Sequence, residues 1–379
     1  MDALTTPLPK DWQRVRLGDI CEIVKGQQIN KISLNNTDKY PVINGGIDFL
    51  GYTNKFNVSK NTIAISEGGT CGYVRFMTSD FWSGGHNYSL QKISNKVNNL
   101  CLYHILKSYE KDIMKLGVGS GLKNIQLKAL KDFEILLPPL NEQIAIANIL
   151  SDVDRYLYSL DALILKKESV KKALSFELLS QRKRLKGFNQ AWQKVRLGDI
   201  GKPCMCKRVM KHQTTRYGEI PFYKIGTFGN TADAFISKKL FLEYKTKYSF
   251  PKKSDILISA SGTIGRAVIY DGKPAYFQDS NIVWIDNDET LVKNDFLFYV
   301  YSNIKWNTEH TTISRLYNDN FINTLIPLPP LNEQTAIANI LSDVDSEIIS
   351  LKNKKRQFEN IKKALNHDLM SAKIRVLNK

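Results

Sequence analysis

Leu137-Pro-Pro-Leu-Asn-Glu-Gln-Ile-Ala-Ile-Ala-Asn-Ile-Leu-Ser-Asp-Val-Asp154 returns as Leu328-Pro-Pro-Leu-Asn-Glu-Gln-Thr-Ala-Ile-Ala-Asn-Ile-Leu-Ser-Asp-Val-Asp345, with Ile144 against Thr335 as the single difference. A repeat of this length within one chain marks an internal duplication. Working outward, Trp12-Gln-Arg-Val-Arg-Leu-Gly-Asp-Ile20 returns as Trp192-Gln-Lys-Val-Arg-Leu-Gly-Asp-Ile200, and Lys171-Lys172-Ala173-Leu174 as Lys362-Lys363-Ala364-Leu365. The first pair is offset by 180 positions and the others by 191, so the intervening stretch is 11 residues longer in the second copy. Within those stretches, 21–136 and 201–327, the match fades to echoes. Ile65-Ser66-Glu67-Gly68-Gly69-Thr70-Cys71-Gly72 resembles Ile258-Ser259-Ala260-Ser261-Gly262-Thr263-Ile264-Gly265, and Tyr40-Pro41-Val42-Ile43 resembles Ile220-Pro221-Phe222-Tyr223. One fold is expected twice, with different surfaces in a fixed framework.

The variable stretches read as mostly β, with short runs such as Thr62–Ile65, Asp255–Ile258 and Asn281–Ile285 broken by Gly, Asn and Asp. Helices are expected at Leu100–Tyr109 and Asp295–Asn303. After each Pro-Pro pair a long helix should begin, because proline lacks the donor that the preceding segment would need to continue. Asn141 is the expected N-cap, with Glu142 in the first turn where a negative charge suits the helix dipole. Ile149, Val153, Tyr156, Leu160, Leu163, Val170 and Leu174 follow heptad spacing with a gap at Lys167. The second copy offers Ile340, Val344, Ile348, Leu351, Phe358, Ile361, Leu365 and Leu369. The expected class is α+β: two mixed α/β domains, 1–139 and 187–330, and two long coiled-coil helices, 140–186 and 331–379, in an internal repeat, the helices either packing on each other through facing seams or lying separately on their own domains.

Charge narrows the function. The net charge is +17, with +6 in residues 12–139 and again +6 in 192–330. A basic excess spread over both copies attracts polyanions, nucleic acid first among them. Five cysteines, Cys21, Cys71, Cys101, Cys204 and Cys206, are scattered and odd in number, as expected for reduced thiols rather than a disulfide framework. The start, Met1 to Pro7, lacks a basic region followed by an apolar one. A cytoplasmic protein without a membrane span is therefore expected.

Chemistry is hard to find in the residues. Pro138-Pro139 and Pro329-Pro330 are followed by Leu140 and Leu331, not by the aromatic residue of an adenine methyltransferase motif. The Gly68-Gly69 and Gly262–Gly265 elements lack the Lys-Ser/Thr of a P-loop and suit tight turns. Asp233 with Glu243-Tyr244-Lys245 only loosely resembles a nuclease cluster. Cys204-Met205-Cys206 with His212 fits no common zinc spacing, and no metal site is expected. His86, His104, His212, His310 and His367 have no supporting catalytic context, so no catalytic residue is assigned.

Polar side chains on glycine-broken loops are the DNA-reading candidates. In the first copy they are Lys25, Gln27, Gln28, Asn30, Lys31, His86, Asn87, Ser120, Lys123 and Asn124. In the second they are Lys207, Arg208, Lys211, His212, Arg216, Arg266, Gln278, Ser280, Arg315 and Asn318. Arg and Lys pair with guanine edges, and Asn and Gln with adenine. The basic run Gln181 to Lys186 closes the first long helix in this reading, either touching phosphates or neutralising the helix dipole.

Two repeats, each pairing a variable domain that opens Trp-Gln-Xaa-Val-Arg-Leu-Gly-Asp-Ile with a helix that opens Leu-Pro-Pro-Leu-Asn-Glu-Gln, resemble the specificity subunits of type I restriction-modification systems. The resemblance spans nearly the whole chain. It implies two target-recognition domains separated by two long antiparallel coiled-coil helices in a pseudo-twofold repeat, in a non-catalytic subunit that reads a bipartite, asymmetric site on double-stranded DNA. It also implies two methylation subunits that bring S-adenosylmethionine, and restriction subunits that use ATP and Mg²⁺. On residues alone, a single-chain methyltransferase or nuclease and a protein-bridging scaffold remain open alternatives.

The paired helices should act as a ruler between the two half-sites. Four residues inserted after Leu160 and after Leu351 add about 6 Å per helix and turn the helix about 400°, keeping the seam nearly in register. At about 3.4 Å per base pair, the gap in the genome-wide methylation motif should lengthen by one or two base pairs with both half-sites unchanged. An unchanged gap in an active mutant assigns the spacing to something other than the helices.

Overall fold

The structure is a computed structural model that describes residues 9–307 and 315–376. His310 lies outside the described residues. The chain divides into two compact units: one of residues 1–161 with 353–379, the other of residues 162–352.

Alternating apolar residues build the same sheets in each unit. The first unit has a four-stranded antiparallel sheet in the order Glu22–Lys25, Asn87–Gln91, Thr62–Ser66, Val74–Met77. Beside it lies a three-stranded sheet of Gly51–Thr53, Tyr40–Ile43 and Trp82–Ser83. Ile23, Ile63, Ile65, Val74, Tyr88 and Leu90 bury one face against helix Asn99–Ser108. The second unit repeats the order as Gly201–Met205, Ile282–Asn287, Ile256–Ser259, Ala267–Ile269, with helix Asn294–Tyr301 against it. Its smaller sheet is Phe235–Ile236, Ile220–Tyr223 and Tyr276–Phe277. Much of its extra length is helix Lys238–Lys247, inserted before strand Ile256–Ser259. Each domain closes on itself: Gln13–Arg16 pairs antiparallel with Glu134–Leu137, and Gln193–Arg196 with Leu325–Leu328.

The long helices run from Leu140 to Leu179 and from Leu331 to Met370, 40 residues each. The helix therefore starts one residue before Asn141, which sits in its first turn and accepts from the Glu142 amide at 2.9 Å instead of serving as the N-cap. The following Glu-Gln pair explains the repeated motif. Glu142 is almost fully buried and accepts from the Trp12 indole at 3.1 Å and from Arg375 at 2.7 and 2.9 Å. Gln143 holds three backbone groups: it accepts from the Asn98 amide at 2.7 Å and donates to the carbonyls of Pro138 at 2.8 Å and Lys96 at 3.2 Å. In the second unit Glu333 accepts from Trp192 at 2.9 Å and from Arg184 at 2.9 and 3.1 Å. Gln334 meets Lys293, Leu291 and Pro329 in the same way. Arg184 and Arg375 are equivalent under the 191-residue offset. Each follows the end of the long helix opposite to the one whose glutamate it meets.

The first helix ends at Leu179, so the basic run lies beyond it. Arg184 in that run is committed to Glu333, and Arg182 stacks 4.8 Å from the Phe176 ring. The seam also shifts from the sequence expectation. Leu150, Val153, Leu157, Leu160, Ile164, Lys167, Lys171, Leu174 and Leu178 are buried or half-buried in a strict alternation of three and four. Leu163, Val170 and, in the second helix, Ile361 are exposed. The gap at Lys167 had hidden the phase, because lysines hold seam positions and reach across to carboxylates. In the first unit Lys362 pairs with Asp154, Lys355 with Asp161 at 2.6 Å, and the Tyr156 and Phe358 rings lie 4.6 Å apart. In the second, Lys171 pairs with Asp345 at 2.6 Å and Lys167 with Glu347. Partner numbers fall along one helix as they rise along the other, so within each unit the helix segments are antiparallel.

Arg375→Ala should lower the urea-unfolding midpoint, because it strands a buried carboxylate. A urea-unfolding midpoint within error of wild type would show that solvent reaches Glu142 after all.

Candidate nucleic-acid interface

The glycine-rich echoes are hairpin turns. Between Thr62–Ser66 and Val74–Met77 the chain turns through Gly69 at φ +70° and Gly72 at φ +84°, and the Gly72 amide donates to the Ser66 carbonyl at 2.8 Å. The second copy repeats this through Gly262 at +65° and Gly265 at +82°, with the Gly265 amide on Ser259 at 2.9 Å. A Cβ at Gly72 would meet the Met114 backbone at 2.8 Å, so the tight approach and the positive φ both require glycine.

A second shared loop follows the first strand of each four-stranded sheet. In the first unit it runs through Gln27 and Gln28 into a 3-10 turn at Lys31–Ser33. Gln27 accepts from the Trp82 indole at 2.9 Å through its carbonyl, Gln28 packs against Gly85, and Asn30 caps the turn by accepting from the Ile32 amide at 3.1 Å. In the second unit the equivalent loop leads into Lys211–Gln213. There Arg208 pairs with Asp279 at 2.9 Å, and the Lys207 ammonium lies 5.0 Å from the Tyr248 ring. Thus Lys207 and Arg208 stand where the first unit has Gln27 and Gln28.

The first unit gathers several candidates around one carboxylate that the sequence reading missed. Glu67, 9% exposed at the mouth of the hairpin turn, accepts from Lys25 at 2.6 Å and from the Tyr88 hydroxyl at 3.3 Å through Oε1. Its Oε2 faces His86 Nδ1 at 3.9 Å, beyond hydrogen-bond range. Burial, then the adjacent Glu67 charge, pushes the Tyr88 phenol up to about 12, so it remains a donor. Asn87 is buried and accepts from Ser66 at 3.4 Å, and Asn124 packs over Gly68. Ile125 ties the 117–125 hairpin to this point, its amide donating to the Glu67 carbonyl at 2.9 Å. Lys123 is exposed beside Asn124, Ser120 is exposed further along the hairpin, and Lys31 is exposed on its own turn.

The second unit makes three smaller groups. Arg208, Asp279 and Ser280 meet, and Gln278 accepts from the Ile225 amide at 2.9 Å. Arg315 reaches Asn281 at 3.4 Å, and Asn281 also accepts from Ser261 at 2.7 Å. Arg266 donates to the Phe228 carbonyl at 2.8 Å. Lys211, His212 and Arg216 are exposed, Arg216 lying 6.0 Å from the Tyr217 ring, and Asn318 opens the short helix Asn318–Ile322. The first unit uses an arginine to hold the matching loop too, but from another strand position. Arg75 donates to the Gly46 carbonyl at 3.0 Å between the Tyr73 and Phe49 rings. Strand register places Tyr73 opposite Arg266 and Arg75 opposite Val268 in the repeat, which is why a residue-by-residue comparison overlooks the shared device.

The groups weighed for chemistry are dispersed. Asp233 pairs with Lys224 at 2.8 Å, Glu243 with Lys247 at 3.1 Å, and Lys245 lies over the Phe241 and Phe250 rings. Burial pushes the Cys206 thiol up to about 12, and His104, buried under the Lys362–Asp154 pair, is pushed down to about 4 by burial first and Lys362 second. Among the described residues no three His, Cys, Asp or Glu side chains gather as a metal would require, and no helix is long and apolar enough to cross a membrane.

One scaffold presenting unlike polar loops in two copies defines a recognition protein. The profile of the type I restriction modification DNA specificity domain matches residues 9–167 and 189–360. A type I restriction enzyme specificity subunit of Haemophilus influenzae is 40% identical over 324 residues, covering 80% of this chain and 81% of that one. The type I restriction enzyme MjaVIII specificity subunit of Methanocaldococcus jannaschii is 26% identical over 408 residues, covering 98% and 95%. The crystal structure of an S subunit from Mycoplasma genitalium shares the fold, with a TM-score of 0.65 at 23% identity, covering 96% of this chain and 98% of that chain. The chain belongs to the type I restriction modification DNA specificity family, the specificity subunits of these systems.

Proposed function

We propose that each unit reads one half of a split, asymmetric site on double-stranded DNA, and that the chain directs methylation and restriction subunits to that site. The observation that carries this reading is the pair of equivalent loops, 26–33 and 206–213, which share a backbone course but offer Gln27-Gln28 in one unit and Lys207-Arg208 in the other. A fixed frame with exchanged base-edge chemistry suits two half-sites of different sequence. The positive charge of both copies supplies the sequence-independent attraction to phosphates. The chain itself makes and breaks no bond. Two methylation subunits bring S-adenosylmethionine, restriction subunits bring ATP and Mg²⁺, and the assembly works in the cytoplasm. The rival nuclease reading is weakened by the separate ion pairs that hold Asp233 and Glu243.

Replacing residues 21–136 with the matching stretch of a relative should change one half of the genome-wide methylation motif and leave the other intact. A swap that alters both halves refutes independent reading. The purified chain should neither methylate nor cut DNA until the partner subunits are added, and methyl transfer by the chain alone would refute the division of labour. Lys123→Ala should weaken binding to all sequences alike and reduce the salt slope by about one, whereas Arg208→Ala should cost about 1–3 kcal/mol at one base pair. Equal losses on every duplex for Arg208→Ala would assign it to phosphate.

A further inference from the structure

We propose that Glu67 reads an exocyclic amino group in the major groove, selecting adenine or cytosine over guanine or thymine at one position of the first unit's half-site. This rests on the DNA-recognition reading above. A carboxylate on a basic, polyanion-facing surface is unfavourable unless its charge is matched and its acceptor capacity is used. Lys25 at 2.6 Å matches the charge, and Lys25 and Tyr88 together occupy Oε1. Oε2 accepts no hydrogen bond among the described residues and faces His86 Nδ1 at 3.9 Å, outside hydrogen-bond range. Gly68 and Gly69 follow directly and add no side chain of their own beside it. Carboxylate oxygens only accept, and in the major groove adenine N6 and cytosine N4 donate whereas guanine O6 and thymine O4 accept.

The repeat supplies the second observation. Strand register places Lys25 opposite Met205 and Tyr88 opposite Val283, and the turn echo places Glu67 opposite Ala260. The same hairpin turn forms in the second unit without any of these three polar groups. The fold does not need the constellation, so it belongs to what differs between the units: the bases they read.

The test is Glu67→Gln in the full complex with its methylation subunits, read by genome-wide methylation mapping. Glutamine keeps the volume and can turn its amide to donate or accept, so one position in the half-site altered by the 21–136 exchange should relax to either purine or either pyrimidine. Discrimination there should fall roughly tenfold to hundredfold in duplex competition, with the other half-site, the gap and the melting temperature unchanged. An unchanged motif, or an equal loss of affinity on every sequence, overturns the assignment of Glu67. If the wild-type complex yields no split motif, the recognition reading itself fails and takes this inference with it.

Discussion

A buried carboxylate two residues into each long helix is the contact on which the rest of the architecture depends. Glu142 and Glu333 each join three separate stretches of chain: the tryptophan that opens a domain, the first turn of a helix, and an arginine beyond the end of the other helix. Removing a carboxylate from water is costly unless its partners are in place. The bonds with Trp12 and Arg375, or with Trp192 and Arg184, therefore form together or not at all. The neighbouring glutamines fix the helix start to domain backbone, so the direction in which each helix leaves its domain is set within its first turn.

The seam continues that constraint by other means. Apolar residues alone would allow the antiparallel segments to slide by a heptad, since one leucine serves as well as another. Lysines at seam positions do not tolerate such a slip, because each must find its carboxylate. Lys362 with Asp154 and Lys171 with Asp345 are equivalent pairs under the repeat, and the Tyr299 hydroxyl adds a 3.0 Å bond to Asp345. Polar seam positions of this kind specify register at some cost in stability.

Duplication, strand–turn–strand units and the two long helices were legible because each rests on local pattern: repeated blocks, short β-branched runs, proline stops. What could not be read depended on partners far away in sequence. Asn141 looked like a cap because Asn favours that position, yet the proline before Leu140 already ends the preceding strand. The apolar count chose Leu163 and Val170 over Ile164 and Lys171, because a lysine that reaches across a seam looks like a lysine in water. Arg184 read as one member of a basic run until Glu333 emerged 149 positions away. The candidate loops stand out by their glycines and polar residues, and the structure places them on hairpin turns and on the loops after the first sheet strands. Glu67 carried no signal in the sequence, because one acidic residue before a glycine pair looks solvated until Lys25 and Tyr88 are seen beside it.

The crossed arginines carry a topological consequence. The residue that closes the first unit, Arg375, is encoded at the end of the second repeat, and Arg184, which closes the second unit, at the end of the first. Each unit is thus closed by a segment of the other repeat, as in a domain swap carried out within one chain. One repeat alone is an open protomer, with a glutamate lacking its arginine and an arginine lacking its glutamate. Two such halves could satisfy each other by the same exchange, which is the low-cost route by which swapped dimers arise. Fusion of two such halves into one chain would keep every closing contact and free the two recognition surfaces to diverge.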